Sequence, residues 1–563
     1  MCHRESCLSD IVSVTGRLFL LGRNRIVDVE PYSRCLIYLN YLSVIGCLAK
    51  TKCWVGMGVL VTLFSIESKA QTCHLQSDSS ALVDSVALPD TLLNQSPYVF
   101  NVDSLMEKQS ANPSKYPWRA AAEVVGINAT LLAVDYFILD ADFAKVTSKT
   151  LKRNVRLNQW FWDGDVFHTN LWYHPYHGNL FFNAARSNGM NFWESIPYTL
   201  AGDLMWEIAG ENELPSINDA ISTGIGGLAI GESTYRLSNL VYHDDRQGWR
   251  RVAQELLGAA INPIRALNRL FTGEAWKIRA QKAAYHDDER LPVRITMAVG
   301  DRYVSGHDAS TMRFHTPYLD LSVRYGDAFS DEHKPFDYFT LDAGVVLGHQ
   351  QHAVNHVNII GQLAATPVME RRGMQSRFGV YQHFNYEHTN GRNGGLPPYQ
   401  LSEAASIGVG WLCRVPSIHQ NLKFDQSFFL NGMLLGGLWS DYADNPFHKS
   451  YNMGSGFTAL SRTQFSVGHR FSFSLDARFF RMYSWRGYED VPAGTSYDTF
   501  SAQGERNQSS VWVLRPMLKI PVWRQWGLHL SGAYYHRDTH YTYRNDATAR
   551  TYEVRLGLLY QLK

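Results

Sequence analysis

Cysteine is nearly missing from most of this 563-residue chain. Five of the seven (Cys2, Cys7, Cys35, Cys47, Cys53) precede residue 70, which leaves Cys73 and Cys413. One distant pair makes no disulfide framework, so no structural bridge is expected. Few thiols also suit a chain that crosses an oxidising compartment. Excess charge of either sign is lacking too, since 53 Lys and Arg stand against 52 Asp and Glu. No global field favours a polyanion, and no nucleic-acid partner is expected. After residue 70 there is no clean apolar run for a membrane helix. The nearest, Ala120 to Leu139, carries Glu123, Asn128 and Asp135, which are costly in hydrocarbon. Catalytic signatures are equally scarce. Ser187 and Ser195 sit outside Gly-x-Ser-x-Gly, no His-Glu-x-x-His helix occurs, and Gly227-x-x-x-Gly231 lacks the lysine of a phosphate loop.

What is present is alternation. From about residue 290 to Lys563, ten-residue stretches place apolar and polar side chains on opposite faces. In the last, Tyr552, Val554, Leu556, Leu558, Tyr560 and Leu562 oppose Glu553, Arg555, Gly557, Gln561 and Lys563. Leu319, Leu321, Val323 and Tyr325 oppose Asp320, Ser322 and Arg324 in the same way. A strand with lipid on one side and water on the other needs this repeat, and tilted membrane strands run about 9–11 residues. Twelve such strands are expected, centred near residues 296, 322, 341, 359, 381, 409, 429, 458, 475, 514, 530 and 557. An even count closes an antiparallel barrel and leaves no exposed edge. Aromatic content of 13 % fits girdles at the two lipid boundaries. The sequence thus points to the outer membrane of a Gram-negative cell, with outer-membrane lipid and the barrel assembly machinery as partners.

The remainder divides into three. Lys50 and Lys52, the apolar run Trp54 to Ile66 and Ser68-Lys69-Ala70 describe a signal peptide cleaved after Ala70, with an over-long leader over residues 1–70. Val44-Ile45-Gly46-Cys47 offers a lipidation site as the alternative. Residues 71–115 are polar and aperiodic and read as a mobile periplasmic segment. Residues 116–289 turn to helical spacing, with helices expected at Ala120–Leu139, around Asn179–Arg186, at Phe192–Gly210 and at Ser216–Leu237. A last one, Arg250–Phe271, should break near Pro263. The fold class is therefore α+β: a transmembrane antiparallel barrel at 290–563 preceded by a helical domain at 116–289. That domain is expected to fill or cap the barrel, from the lumen or the periplasm, because a lumen of twelve strands needs filling.

The helical block carries the densest chemistry. His174-Pro175-Tyr176-His177-Gly178, Ala184-Ala185-Arg186-Ser187-Asn188-Gly189 and Pro215-Ser216-Ile217-Asn218-Asp219 run through it. These strings resemble an uncharacterised bacterial outer-membrane family, known as a domain of unknown function, in which such a block precedes a barrel. The resemblance implies the architecture and brings no activity. A histidine, Glu207-x-x-x-Glu211 and then Ser216-x-x-Asp219 also resemble, more distantly, envelope modules of the VanZ-like type.

Ser216 and Asp219 first suit a helix N-terminus, as cap and as dipole-compatible acid. Gly227 and Gly231 suit close helix packing. Asp203, Glu207 and Glu211 recur every four residues and share one helix face, with Arg186 or Arg236 as expected partners. His177, Glu207, Glu211 and Asp219 are the candidate acid–base residues. His168, His174 and His177 are candidate metal ligands, since imidazole suits zinc, copper, iron or nickel. His349, His352 and His356 form a second group near the barrel rim. Three functional classes follow: an envelope barrel of undefined role, an enzyme acting on envelope lipid or cell wall, and a gated channel or uptake barrel. No cofactor is indicated.

Overall fold

The computed structural model describes residues 114–278, 291–306, 313–331, 334–348, 351–371, 373–391, 396–419, 421–442, 450–468, 470–496 and 499–562. The signal peptide, the lipidation alternative, most of the segment 71–115 and His349 lie outside these residues. By its contacts the chain forms two units. Of the first, the described part is the turn Asp135–Ala141, in which the Ala141 N–H donates to the Asp135 carbonyl at 2.9 Å. The second holds residues 114–134 and 142–562.

The helical block contains α1 (Pro117–Phe137), α2 (Ser148–Asn154), α3 (His174–Ser187), α4 (Phe192–Ala209), α5 (Ile217–Ile221), α6 (Gly227–Val241), α7 (Gly248–Ile261) and α8 (Pro263–Phe271). Local chemistry sets their ends. Asn191 and Glu194 form a capping box that opens α4. Ser216 caps α5 as expected, its Oγ accepting from the Asp219 N–H at 3.3 Å. Pro263 divides α7 from α8 where predicted. Two turns widen to π geometry, Thr169–Tyr173 before α3 and Ser222–Gly226 before α6. Helices α3 and α6 approach closely because their glycines carry no side chain. A Cβ on Gly178 would fall 2.0 Å from the Thr223 carbonyl oxygen, and one on Gly231 2.6 Å from the Phe182 ring. By length and composition alone helix α1 could cross a membrane, and its polar residues are accounted for within the block. Glu123 accepts from Asn268 at 2.7 Å and Asn128 donates to the Gly202 carbonyl at 3.0 Å, so both face neighbouring helices.

Among the described residues twelve antiparallel strands close a barrel in sequence order, β12 pairing with β1. They are β1 (Val293–Ser305), β2 (Arg313–Tyr325), β3 (Phe339–Val346), β4 (Val354–Arg371), β5 (Met374–Thr389) and β6 (Tyr399–His419). The remaining six are β7 (Leu422–Trp439), β8 (Tyr451–Val467), β9 (Phe471–Tyr483), β10 (Asn507–Trp523), β11 (Trp526–Tyr541) and β12 (Ala547–Leu562).

Side chains bonded between non-adjacent strands must cross the lumen, and they fix which face is inside. Arg302 on β1 reaches Thr389 on β5 at 3.0 Å, Arg515 on β10 reaches Glu387 on β5 at 2.8 Å, and Tyr399 on β6 reaches Glu553 on β12 at 2.6 Å. Inward residues of β5 are therefore Tyr381, His383, Asn385 and Glu387, while Phe378, Val380, Gln382, Phe384, Tyr386 and His388 point outward.

The helical block packs on that outward face. Trp172 lies 5.7 Å from Tyr386 and 6.4 Å from Phe384, ring to ring. Gln382 donates to the Ile225 carbonyl at 2.9 Å, and a Cβ on outward Gly437 would meet Leu171 at 2.3 Å. One continuous core joins Phe182, Phe192 and Leu228 to Val323, Leu341, Ile359 and Phe384 of the outer wall. The expected lumen filling by the helices is corrected. The lumen is filled by the strands' own side chains, and its cavity of about 170 Å³ is lined by residues of the strands.

Candidate functional site

The π turns and short α5 bring the polar residues of four segments to one place inside the helical block. Asp163 accepts from Asn170 Nδ2 at 2.8 Å and Asn218 Nδ2 at 3.0 Å, and Asn218 Nδ2 also donates to Asp219 at 2.9 Å. Asn170 Nδ2 lies 2.8 Å from the hydroxyl of Tyr451, which donates to the Asp165 carbonyl at 2.9 Å. A barrel strand thus contributes to the edge of the cluster. The His174 Nε2 lies 3.3 Å from Asp219, and its Nδ1 lies 3.4 Å from the Thr223 hydroxyl. Thr223 also bonds Asp203. Glu207 accepts the Ser216 N–H through Oε2 at 2.6 Å, while its Oε1 is buried without a hydrogen-bond partner. Asp203, Glu207 and Asp219 are 4 %, 1 % and 3 % exposed. None of the described lysines or arginines forms an ion pair with these three.

Burial raises the carboxyl groups of Asp203, Glu207 and Asp219 well above their usual range. The charge of Asp203 adds to this at Glu207, and Asp163 adds to it at Asp219, with which it shares a hydrogen bond. One proton between two buried carboxyls is the arrangement such a contact requires. Burial lowers His174 to about 4 against the opposing field of Asp163, so at neutral pH its ring is uncharged. His177 is lowered to about 3 by burial and then by His174. Hydroxyl, imidazole and carboxyl stand in line as Thr223, His174 and Asp219. Their separations of 3.4 and 3.3 Å are looser than the roughly 2.6–3.2 Å of a formed relay.

Of the residues expected from sequence, Glu207 and Asp219 enter the cluster and Glu211 sits at its edge, raised by burial and by Glu207. His177 does not join the carboxylates. Its ring lies tilted 4.5 Å from Phe181 and edge-on 5.1 Å from Trp206, and its Nε2 is buried and unpartnered. His174 takes the place expected of it. His168 is apart, 4.2 Å from His352 ring to ring, and His352 in turn lies 4.7 Å from His388. Among the described residues no group of three or more His, Cys, Asp or Glu is arranged to hold a metal ion, so His168, His174 and His177 do not form one. Arg186 and Arg236 do not pair with the α4 carboxylates. They clamp buried Glu232 at 2.7 and 2.8 Å. His356 faces the lumen, between Asn355 and the cavity. Asn170 and Tyr451 were missed as site residues. Asn170 stands in the π turn before α3, and Tyr451 opens β8, a strand that alternation predicts without showing what its first residue meets.

Comparison with known proteins adds little chemistry. Residues 159–264 match the model of a family described as a domain of unknown function, DUF3943, a span that includes the whole cluster except Tyr451. No curated protein matches the chain. Among solved structures the barrel is similar to the NanC porin (10 % identity, 47 % of this chain and 100 % of that one, TM-score 0.24). It is also similar to outer membrane phospholipase A from Escherichia coli (11 %, 47 % and 89 %, TM-score 0.20) and to OmpT of Vibrio cholerae (6 %, 48 % and 99 %, TM-score 0.21).

Proposed function

We propose that this chain is an outer-membrane barrel whose helical block carries a closed acid–base site, and that it modifies a component of the cell envelope. The membrane reading rests on the bare outer wall: Trp512, Leu530, Leu556 and Leu558 on β10 to β12 are exposed and outward, as lipid contact requires. The enzyme reading rests on one observation above all, the unpartnered Oε1 of buried Glu207 beside two further buried carboxyls that no described lysine or arginine pairs. Burying such groups costs several kcal/mol, which folding alone does not repay, so their convergence points to a working site. Glu207 and Asp219, pushed by burial well above the usual carboxyl range, hold exchangeable protons, and neutral His174 accepts or relays one.

Channel function has its own observation. Arg324, Asp476, Arg478 and Arg555 line one lumenal cavity. Against it, Tyr399, Trp439, Phe480, Met482 and Val511 form an apolar layer across the end that carries the longer loops.

The test is complementation in a strain lacking the chromosomal copy. Glu207→Gln and His174→Gln should each fail to restore the envelope phenotype while the barrel still shows heat-modifiable migration. Full restoration by both variants would defeat the acid–base reading.

A further inference from the structure

The helical block is built with its polar groups inside and its apolar groups outside. Within residues 117–134, 195–209 and 251–271, every exposed residue is apolar, proline or glycine except Thr130. The Thr130 hydroxyl is spent internally, donating to the Gly126 carbonyl at 2.7 Å. The exposed positions form stripes at helical spacing. Trp118, Ala122, Val125, Ala129 and Ala133 run along α1, Pro197, Leu200, Ala201 and Leu204 along α4, and Val252, Leu256 and Ala260 along α7. Trp118 is 86 % exposed, Leu256 68 % and Phe271 84 %. Charged residues of α7 and α8 point the other way and are paired: Arg269 with Glu255 at 3.0 Å and with Asp244 of the preceding loop at 3.3 Å, Arg251 with Glu255 at 3.2 Å. A surface facing water carries its charges outward, and a soluble domain rarely exposes apolar patches beyond a few hundred Å². Here three helices present no charge at all over their middle turns. The inner faces of α1 and α4 pack on α3 and α8, and α3, α6 and the π turns beneath them rest on the outer wall of β2 to β8, the side where a barrel meets lipid.

We propose that the helical block lies in the hydrocarbon beside the barrel, its outward stripes covered by lipid acyl chains, and that the proposed site therefore takes a membrane lipid as substrate. The occupant follows from the neighbouring wall, since Val380, Val409 and Leu430, outward on the strands that carry the block, are exposed and apolar as the stripes are. The substrate class rests on the acid–base reading. On α4, Asp203 and Glu207 stand only about 60° around the helix from exposed Leu200 and Leu204, so the buried acids adjoin the stripe that meets the acyl chains.

Single cysteines at Val125, Leu204 and Leu256, in a full-length background with native cysteines changed to serine, would carry nitroxide labels in phosphatidylcholine vesicles. Collision rates with oxygen and with a water-soluble nickel chelate report the surroundings, with Leu530→Cys as the bare-wall standard and Lys152→Cys as the aqueous one. All three labels should match Leu530→Cys. Water-like rates at the three positions with a lipid-like rate at Leu530→Cys would overturn the embedding alone. Water-like rates at Leu530→Cys too would overturn the membrane reading of the barrel, and protection from both colliders would mean a protein partner covers the stripes. For the substrate class, lipid extracts and cell-wall fragments from cells producing the parent and Glu207→Gln would be compared by mass spectrometry. A lipid species changed only by the parent is expected. A changed wall fragment with unchanged lipid would overturn the lipid assignment while the site reading stands, and no change in either would overturn both.

Discussion

Four lumenal carboxylates and the three acids of the cluster in the helical block are withdrawn from water alike and neutralised differently. In the lumen Glu553 and Asp320 face Arg555 at 2.6 and 2.8 Å, Asp476 faces Arg462 at 2.7 Å, and Glu387 faces Arg515 at 2.8 Å. In the helical block Asp203, Glu207 and Asp219 have an uncharged imidazole and each other. Charges neutralised in place hold a structure together, whereas acids left without a base hold protons that can move. The first arrangement is scaffold and the second is chemistry.

The largest effect should come from breaking the first arrangement. Arg555→Met leaves half-buried Asp320 without its base and buried Glu553 with only Arg302 at 3.6 Å, at a cost of about 3–5 kcal/mol. Urea unfolding of the reconstituted barrel should show it, and the double variant Arg555→Met with Glu553→Gln should recover part of the loss. An unchanged midpoint would mean that the lumen is wet enough to screen the pair.

The same kind of substitution in the helical block should act with the opposite sign. A buried carboxyl whose pKa is raised on folding contributes stability in full below its unfolded value of 4.5, and that contribution fades as pH rises. Glu207→Gln removes the fading. The variant should be more stable than the parent by about 1–3 kcal/mol near pH 8 and nearly equal to it at pH 4. Thermal melts followed by near-ultraviolet circular dichroism across that range would show the divergence, and parallel curves would break the comparison. The smallest effect belongs to the cap. Ser216→Ala keeps the backbone N–H that Glu207 accepts but loses the side-chain bond to Asp219, costing about 1 kcal/mol without altering the pH profile.

Much of this was readable in the chain. All twelve strands fall on the predicted centres because a two-residue period is imposed by two solvents, one on each face. The covered wall was not readable in the same way. Val323, Leu341 and Ile359 look alike whether they face lipid or a helix, so composition cannot tell them apart. A signal did exist in Gln382 and His388, polar residues at lipid-facing positions of β5. In the site, Glu207 and Asp219 were legible from helical spacing and capping. The choice of His174 over His177 was not, because the π turn at Thr169–Tyr173 shifts the phase by which α3 presents its faces.

The polar outer positions of β5 also constrain how the molecule is made. With α3 and the π turn at Ser222–Gly226 removed, the Gln382 amide would lose its Ile225 acceptor and meet hydrocarbon, where an unmade hydrogen bond costs several kcal/mol. Tyr386 and His388 would lose their cover with it. The chain delivers the helical block first, since it precedes the strands. On the proposed membrane reading biogenesis is ordered by solvation: the block is seated on β2 to β8 before or while that arc of wall enters the bilayer, a built-in escort for its own barrel.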